Sequence, residues 1–172
     1  MVETAMDIPE LATDRLRLRA FVEADLDAYA AMSADAEVMR YIGEGLPVGR
    51  DIAWRQMAAF LGHWMLRGYG MWALEQRSSG RLIGRVGFIN PEGWPGLEIG
   101  WLLERPSWGQ GLALEASRAA LHWGRQESGL HGLISLIRPD NLPSERLALR
   151  LGAHLEGQVT MMGSVANLFR HA

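Results

Sequence analysis

The sequence predicts an α/β fold, a mixed sheet covered by helices on both faces. Three observations predict it. Short segments alternate apolar and polar residues or run as brief apolar blocks, the two marks of a strand. Longer segments between them keep helical spacing. The order of the two kinds is strand, helices, three strands, helix, strand, helix, two strands.

Taken in order, Leu16, Leu18 and Ala20 alternate with Arg15, Arg17 and Arg19, which gives a half-buried first strand. Asp25 to Met32 reads as a helix that stops near Ser33, and Ala36 to Ile42 as a second, short one ended by Gly43 and Gly45. Gly49 to Arg67 is a longer helix. Ile52, Met57, Phe60, Leu61, Trp64 and Met65 give it an apolar side, and Gly68 and Gly70 end it. Met71 to Glu75 and Leu82 to Ile89 are strands joined at Ser78-Ser79-Gly80. Asn90 to Gly96 is a loop, and Leu97 to Leu103 is the next strand. Gln110 to Ser128 is strongly helical, and Leu133 to Ile137 is a strand. Pro143 suits a helix start, so Ser144 to Leu151 is a helix closed by Gly152. His154 to Met161 and Val165 to His171 complete the sheet. No repeat or linker divides the chain, so residues 1–172 are expected to form a single domain.

Composition narrows the function. With 48% hydrophobic residues the chain is globular. A net charge of −3, from 17 basic and 20 acidic residues, argues against a general nucleic-acid or anionic-membrane binder. There is no cysteine, hence no disulfide, thiolate nucleophile or Cys-type zinc site. The histidines show no metal spacing. No signal pattern opens the chain and no apolar run nears the ~18 residues of a membrane span, so a cytoplasmic protein is expected.

The most informative segment is the loop Trp108-Gly109-Gln110-Gly111 between a strand and a helix. A glycine loop opening a helix leaves main-chain N–H groups without partners, and with the helix dipole they form a phosphate site. It is not a P-loop, because Leu112 and Ala113 follow Gly111 and the chain has no lysine. Nor is it a dinucleotide fingerprint, whose third glycine falls on Leu114. A pyrophosphate held mainly by main-chain donors remains, and coenzyme A is the common metabolite of that kind.

Four segments, in order along almost the whole chain, carry a resemblance. They are Thr13 to Arg19; Gly87 to Pro91 with Glu98 to Trp101; Trp108 to Ala116; and Arg138 to Ser144, ending at Leu151-Gly152. In them the chain resembles the GNAT superfamily of acyl-CoA-dependent N-acetyltransferases. The branch it resembles is the one holding the ribosomal-protein alanine N-acetyltransferases. Two departures stand out. The family's Q/R-x-x-G-x-G/A pattern falls on Trp108, Gly111 and Ala113, so Trp stands first. Many members carry a tyrosine general acid seven residues after the position of Asn141, and here that position is Ala148.

The resemblance implies a mostly antiparallel sheet of about seven strands, splayed beside the long helix to admit acetyl-CoA as co-substrate, with no metal. It implies that the pantetheine arm pairs with the backbone of Trp101, Leu102 and Leu103, and that the pyrophosphate sits on Trp108, Gly109, Gln110, Gly111, Leu112 and Ala113. Asn141 would hydrogen-bond the arm, and Ser144 would donate to the leaving thiolate. Their structural alternatives are a turn residue and a helix-cap or first-turn residue. A backbone N–H of the Trp101–Leu103 strand would stabilise the oxyanion. Glu98, an acid in an apolar strand near the expected thioester, is the candidate general base, because a free amine is mostly protonated at pH 7. Its alternative is a strand-end glutamate facing solvent or an arginine.

Arg105, Arg146 and Arg150 are candidates for the phosphates of CoA, against a reading as solvated surface. Trp54, Trp64, Trp72 and Trp94 read as core before acceptor pocket, and Tyr69 is a remote alternative phenol. The acceptor reads as an amine, a small molecule slightly ahead of a protein N-terminus. A succinyl donor would call for a cation such as Arg85 or Arg138 near the acyl group. The rival of another class is a non-catalytic acyl-CoA-binding sensor or interaction module on the same fold. A homodimer through the last two strands stays open.

Overall fold

A computed structural model describes residues 7–172. Its sheet has eight strands: β1 (Leu11–Ala12), β2 (Leu16–Arg19), β3 (Met71–Gln76), β4 (Arg81–Ile89), β5 (Glu98–Leu103), β6 (Ile134–Ile137), β7 (Ala153–Met161) and β8 (Ser164–His171). Their order is β1-β2-β3-β4-β5-β6-β8-β7, and only β5 and β6 run parallel. The extra strand relative to the expected seven is the two-residue β1, too short for a periodic pattern.

The helices are α1 (Leu26–Ala34), α2 (Ala36–Met39), α3 (Arg50–Arg67), α4 (Leu112–Gln126) and α5 (Leu142–Arg150). Helix α4 is two residues shorter at each end than expected, and two other boundaries bear on the site. The second helix stops at Met39, not Ile42, which frees Tyr41 to Gly43 as a loop. The last helix starts at Leu142, with Asn141 as its cap and Pro143 in its first turn.

Alternation along the strands sends the core to both faces. On one face Trp72, Phe88 and Ile99 meet Leu112, Ala116, Ala120 and Trp123 of α4. On the other, Ala73, Leu82 and Leu102 meet α1, α2 and α3 through residues such as Tyr29, Met39 and Met57. A smaller cluster, Ile137, Ala148, Ala153 and Phe169, seats α5 on the last strands. Among the described residues no helix is long and apolar enough to cross a membrane.

The sheet is nearly parted between β5 and β6. Six residue pairs register β4 with β5, from Gly84↔Leu103 to Ile89↔Glu98, but one, Glu98↔Ile134, registers β5 with β6. Beyond it the strands diverge.

Candidate active site

The site is built where the sheet parts. Alternate residues of β5 turn their main-chain groups away from β4. The Leu97 carbonyl takes the Ile134 N–H at 2.9 Å, and the Ile99 carbonyl takes the Ser135 hydroxyl at 2.8 Å. The Leu103 carbonyl takes the Trp108 indole at 2.9 Å. Trp101 sits on that same edge, past the last β6 pair, so its backbone faces the gap. The Leu102 and Leu103 side chains are buried in the core. Contrary to expectation the Leu102 main-chain groups turn to Arg85 of β4, and with its carbonyl on Trp108, Leu103 keeps only its N–H toward the gap.

A pocket of about 200 Å³ opens at the divergence. Glu98, Gly100, Arg85 and Ile89 form its floor, with Trp94, Asn141 and Ser144 around them. The register explains the floor: Ile89↔Glu98, Gly87↔Gly100 and Arg85↔Leu102 lie on one face. Segments remote in sequence close it, Tyr41 to Gly43 after α2 and Met161 to Val165 at the β7–β8 turn.

Glu98 is partly accessible from the pocket, yet burial pushes its carboxyl up to about 7, because charge is poorly solvated among protein atoms. The Trp94 indole donates to Oε2 at 2.7 Å and the Leu136 N–H to Oε1 at 3.4 Å. These bonds and the charge of Arg85 pull the other way without undoing the shift.

Ser144 and Trp101 are joined across the gap, the indole Nε1 donating to Ser144 Oγ at 3.2 Å. An indole only donates, so the serine oxygen accepts and its own proton stays available. Asn141 caps α5: its Oδ1 accepts the Ser144 N–H at 3.4 Å while the residue also lines the pocket. Ala148 is fully buried among Ile137, Ala153 and Phe169, so that position belongs to the core.

At the other end of β5, the loop enters α4 through Gly109 and Gly111, with φ of 72° and 75°, the left-handed region that glycine occupies freely. Among the described residues no acceptor takes the N–H groups of Gly109, Gln110, Gly111, Leu112, Ala113 or Leu114. The loop is braced from outside. Arg15 Nη1 donates to the Gln110 carbonyl at 2.9 Å, and Gln110 Nε2 to the Pro106 carbonyl at 2.9 Å. Glu115, in the first turn of α4, accepts from Thr13 Oγ1 at 2.6 Å, Arg15 N at 2.9 Å and Arg15 Nε at 2.7 Å. The Leu112 side chain is core; Trp108 is half-exposed at the loop.

The GNAT acetyltransferase domain matches residues 15–154, most of the chain. This chain belongs to the GNAT family. It is therefore an N-acetyltransferase, of a family whose enzymes use acetyl-CoA. It is 31% identical over 147 residues to an uncharacterized N-acetyltransferase, YnaD, of Bacillus subtilis (strain 168), covering 86% of this chain and 84% of that one. Among solved structures, an acetyltransferase from Agrobacterium tumefaciens str. C58 superposes with a TM-score of 0.85 at 30% identity, over 96% of this chain and 95% of that one. The ribosomal L7/L12 alpha-N-protein acetyltransferase RimL, solved in complex with coenzyme A, shares the fold: TM-score 0.77, 19% identity, 95% and 97% coverage.

Set on this GNAT frame, the sequence-predicted residues fall into two groups. Glu98, Trp101, Asn141 and Ser144 meet around one pocket, and Trp108 to Ala113 form the loop at the far end of the same strand. Others go elsewhere. Arg105 pairs with Asp35 at 2.9 Å, and Arg146 and Arg150 lie exposed on α5. Trp64 and Trp72 are core, and Trp54 is exposed on α3 with its indole on Glu23. Trp94 does line the pocket and holds Glu98. Tyr69 packs on His63 away from the pocket lining. Sequence reasoning missed Tyr41, which it placed inside a helix, and the methionines Met71, Met161 and Met162, which no local pattern marks as pocket residues. Among the described residues no group of three or more His, Cys, Asp or Glu is placed to hold a metal.

Proposed function

We propose that this chain moves an acetyl group from acetyl-CoA to a primary amine by direct attack, with a small-molecule amine favoured over a protein N-terminus. Glu98 carries the reading. A carboxyl held near neutrality in a pocket at the parted sheet is matched to taking a proton from an ammonium group at physiological pH. The amine then attacks the thioester carbonyl and the thiolate leaves. The Ser144 proton, left free by the Trp101 indole, is available to that thiolate. The gap-facing backbone of Trp101 and the N–H of Leu103 suit the amides of the pantetheine arm and an oxyanion. Asn141 stands beside that path. The open N–H groups at the start of α4 suit the pyrophosphate.

Calorimetric titration with acetyl-CoA, succinyl-CoA and free CoA in metal-free buffer tests the donor site, and thiol release across amines and peptide N-termini tests the transfer. Acetyl-CoA binding followed by amine-dependent thiol release is expected. Glu98→Gln should lower kcat/KM by about 100-fold or more, the usual range for a general base. A variant with the wild-type rate and pH profile would remove Glu98 from this role.

A further inference from the structure

The pocket contains a positive charge that the transfer of an acetyl group does not use. Arg85 projects from β4 on the same face as Glu98 and lines the pocket half-buried. Its contacts hold it without neutralising it. Nε donates to the Tyr29 hydroxyl at 3.2 Å, Nη1 leans on the Met71 sulfur at 3.8 Å, and the guanidinium lies 5.2 Å from the Phe60 ring centre. Among the described residues its hydrogen bonds run from Nε and Nη1 only, and neither goes to a carboxylate. Glu98 is the one acid lining the pocket, and its oxygens are taken by Trp94 and Leu136. A guanidinium withdrawn from water is costly unless an anion meets it, and its planar fork matches a carboxylate. A second guanidinium, Arg138, lines the pocket from beyond β6, fixed by Nη2 to the Gly43 carbonyl and likewise without a carboxylate partner among the described residues.

The floor between Arg85 and Glu98 is bare. Gly87 and Gly100 face each other there. A Cβ on Gly87 would come 2.2 Å from the Gly70 carbonyl oxygen, so packing alone demands that glycine. A Cβ on Gly100 would touch only Met71 Cε at 3.4 Å and Glu98 Oε1 at 3.9 Å, ordinary contacts. No crowding explains Gly100; its missing side chain leaves room above the strand, between a base and a cation.

We infer that Arg85 binds a carboxylate of the acceptor, and that the acceptor is therefore a small amine bearing a carboxylate, of the amino-acid class. The inference rests on the reading of this pocket as the acceptor site. The amine faces Glu98, the carboxylate takes the open side of the Arg85 fork, and the backbone between them crosses the bare floor. Arg138 adds positive potential that draws anions in.

The test compares amino acids with their own carboxamides, using acetyl-CoA and thiol release. Wild type should favour the carboxylate member by about tenfold or more in kcat/KM, mostly through KM. Arg85→Gln should erase that preference, read as the ratio of the two substrates above about pH 8, because losing the Arg85 charge raises the Glu98 carboxyl further and slows both substrates alike at lower pH. Remaining activity on the carboxamide shows that the variant folds. Arg85→Lys, which keeps charge without the fork, should recover part of it. The same ratio in wild type and Arg85→Gln overturns the proposal. So does dependence on Arg85 that appears only with a succinyl donor and a neutral amine, or only with acidic peptide N-termini. Calorimetry with CoA and the N-acetyl amino acid reads Arg85 without turnover. That product should bind wild type about tenfold more tightly than Arg85→Gln, and its carboxamide equally to both. Thiol release from no amine, with this binding difference intact, would count against acetyl transfer and leave the carboxylate site standing; equal binding would remove the site.

Discussion

As the proposed base, Glu98 would need to be near its substrate and near neutrality at once, and one cause serves both: it stands where a buried strand loses its neighbour. Its ionisation therefore works against the fold. With the carboxyl raised from 4.5 to about 7, the contribution of this group to stability is complete below about 4.5 and is lost as pH rises through about 7. Because the residue is partly accessible, the loss is roughly 1–3 kcal/mol. Melting curves from pH 5 to 8 should show wild type falling relative to Glu98→Gln, and parallel curves would deny the shift. Activity should run the opposite way, kcat/KM rising with pH to a plateau above about 7, with that limb missing from Glu98→Gln. Ser144→Ala should cost kcat less than about tenfold, since a thiolate is a good enough leaving group to depart without a proton donor; a loss of hundreds would make Ser144 indispensable. An acid inside an apolar strand is visible in sequence, so Glu98 was legible. Arg85 was legible only as a candidate cation for a succinyl donor, because the residues that hold it in the pocket, Tyr29, Phe60 and Met71, come from other elements.

At the scale of elements, the loop into α4 is the part most readable from sequence, because everything that shapes it is local. Two glycines, a strand before and a helix after specify both the turn and its open N–H groups. Its bracing was not readable: Glu115 reaches across a hundred residues of chain to Thr13 and Arg15. Burial raises the Glu115 carboxyl, but those hydrogen bonds outweigh it and hold it below its ordinary value. Its stabilisation is therefore present above the ordinary carboxylate range and lost as pH falls below it. Gly109→Ala separates loop shape from fold. At φ 72° a Cβ meets no atom within 4 Å, so backbone strain of about 1–2 kcal/mol is the whole penalty. The variant should melt slightly lower and bind CoA several-fold more weakly by calorimetry. Unchanged CoA affinity would place the pyrophosphate elsewhere.

Across the whole molecule, periodicity predicts which segments are strands but not that β8 lies between β6 and β7, and the parting of β5 from β6 was expected only through the family resemblance. Register between distant strands depends on packing that no local period records. The pocket's closing walls, Tyr41 to Gly43 and Met161 to Val165, were hidden for the same reason. The parting has a mechanical consequence. Strands β1–β5 share extensive ladders, and so do β6, β8 and β7. Between the two groups of strands run one registered pair, the Leu97–Ile134 bond, the Ser135 hydroxyl on Ile99 and the weak Leu136–Glu98 bond, with the Trp101 indole reaching Ser144 of α5 beside them. The smaller group should therefore open more readily, and amides of β6 and β8 should exchange faster than those of β3 and β4 in the free protein. A ligand filling the gap replaces the missing ladder. At a hundred times its Kd, CoA stabilises the folded state by about 2.7 kcal/mol, which for a chain of this size raises Tm by roughly 5–10 °C. Exchange from β6 and β8 should then slow more than exchange from β3 and β4, because the opening that CoA blocks is the one at the gap. Uniform protection in the free protein, or uniform slowing with CoA, would mean that the halves are already one cooperative unit and that the parting of β5 from β6 is a local feature of shape.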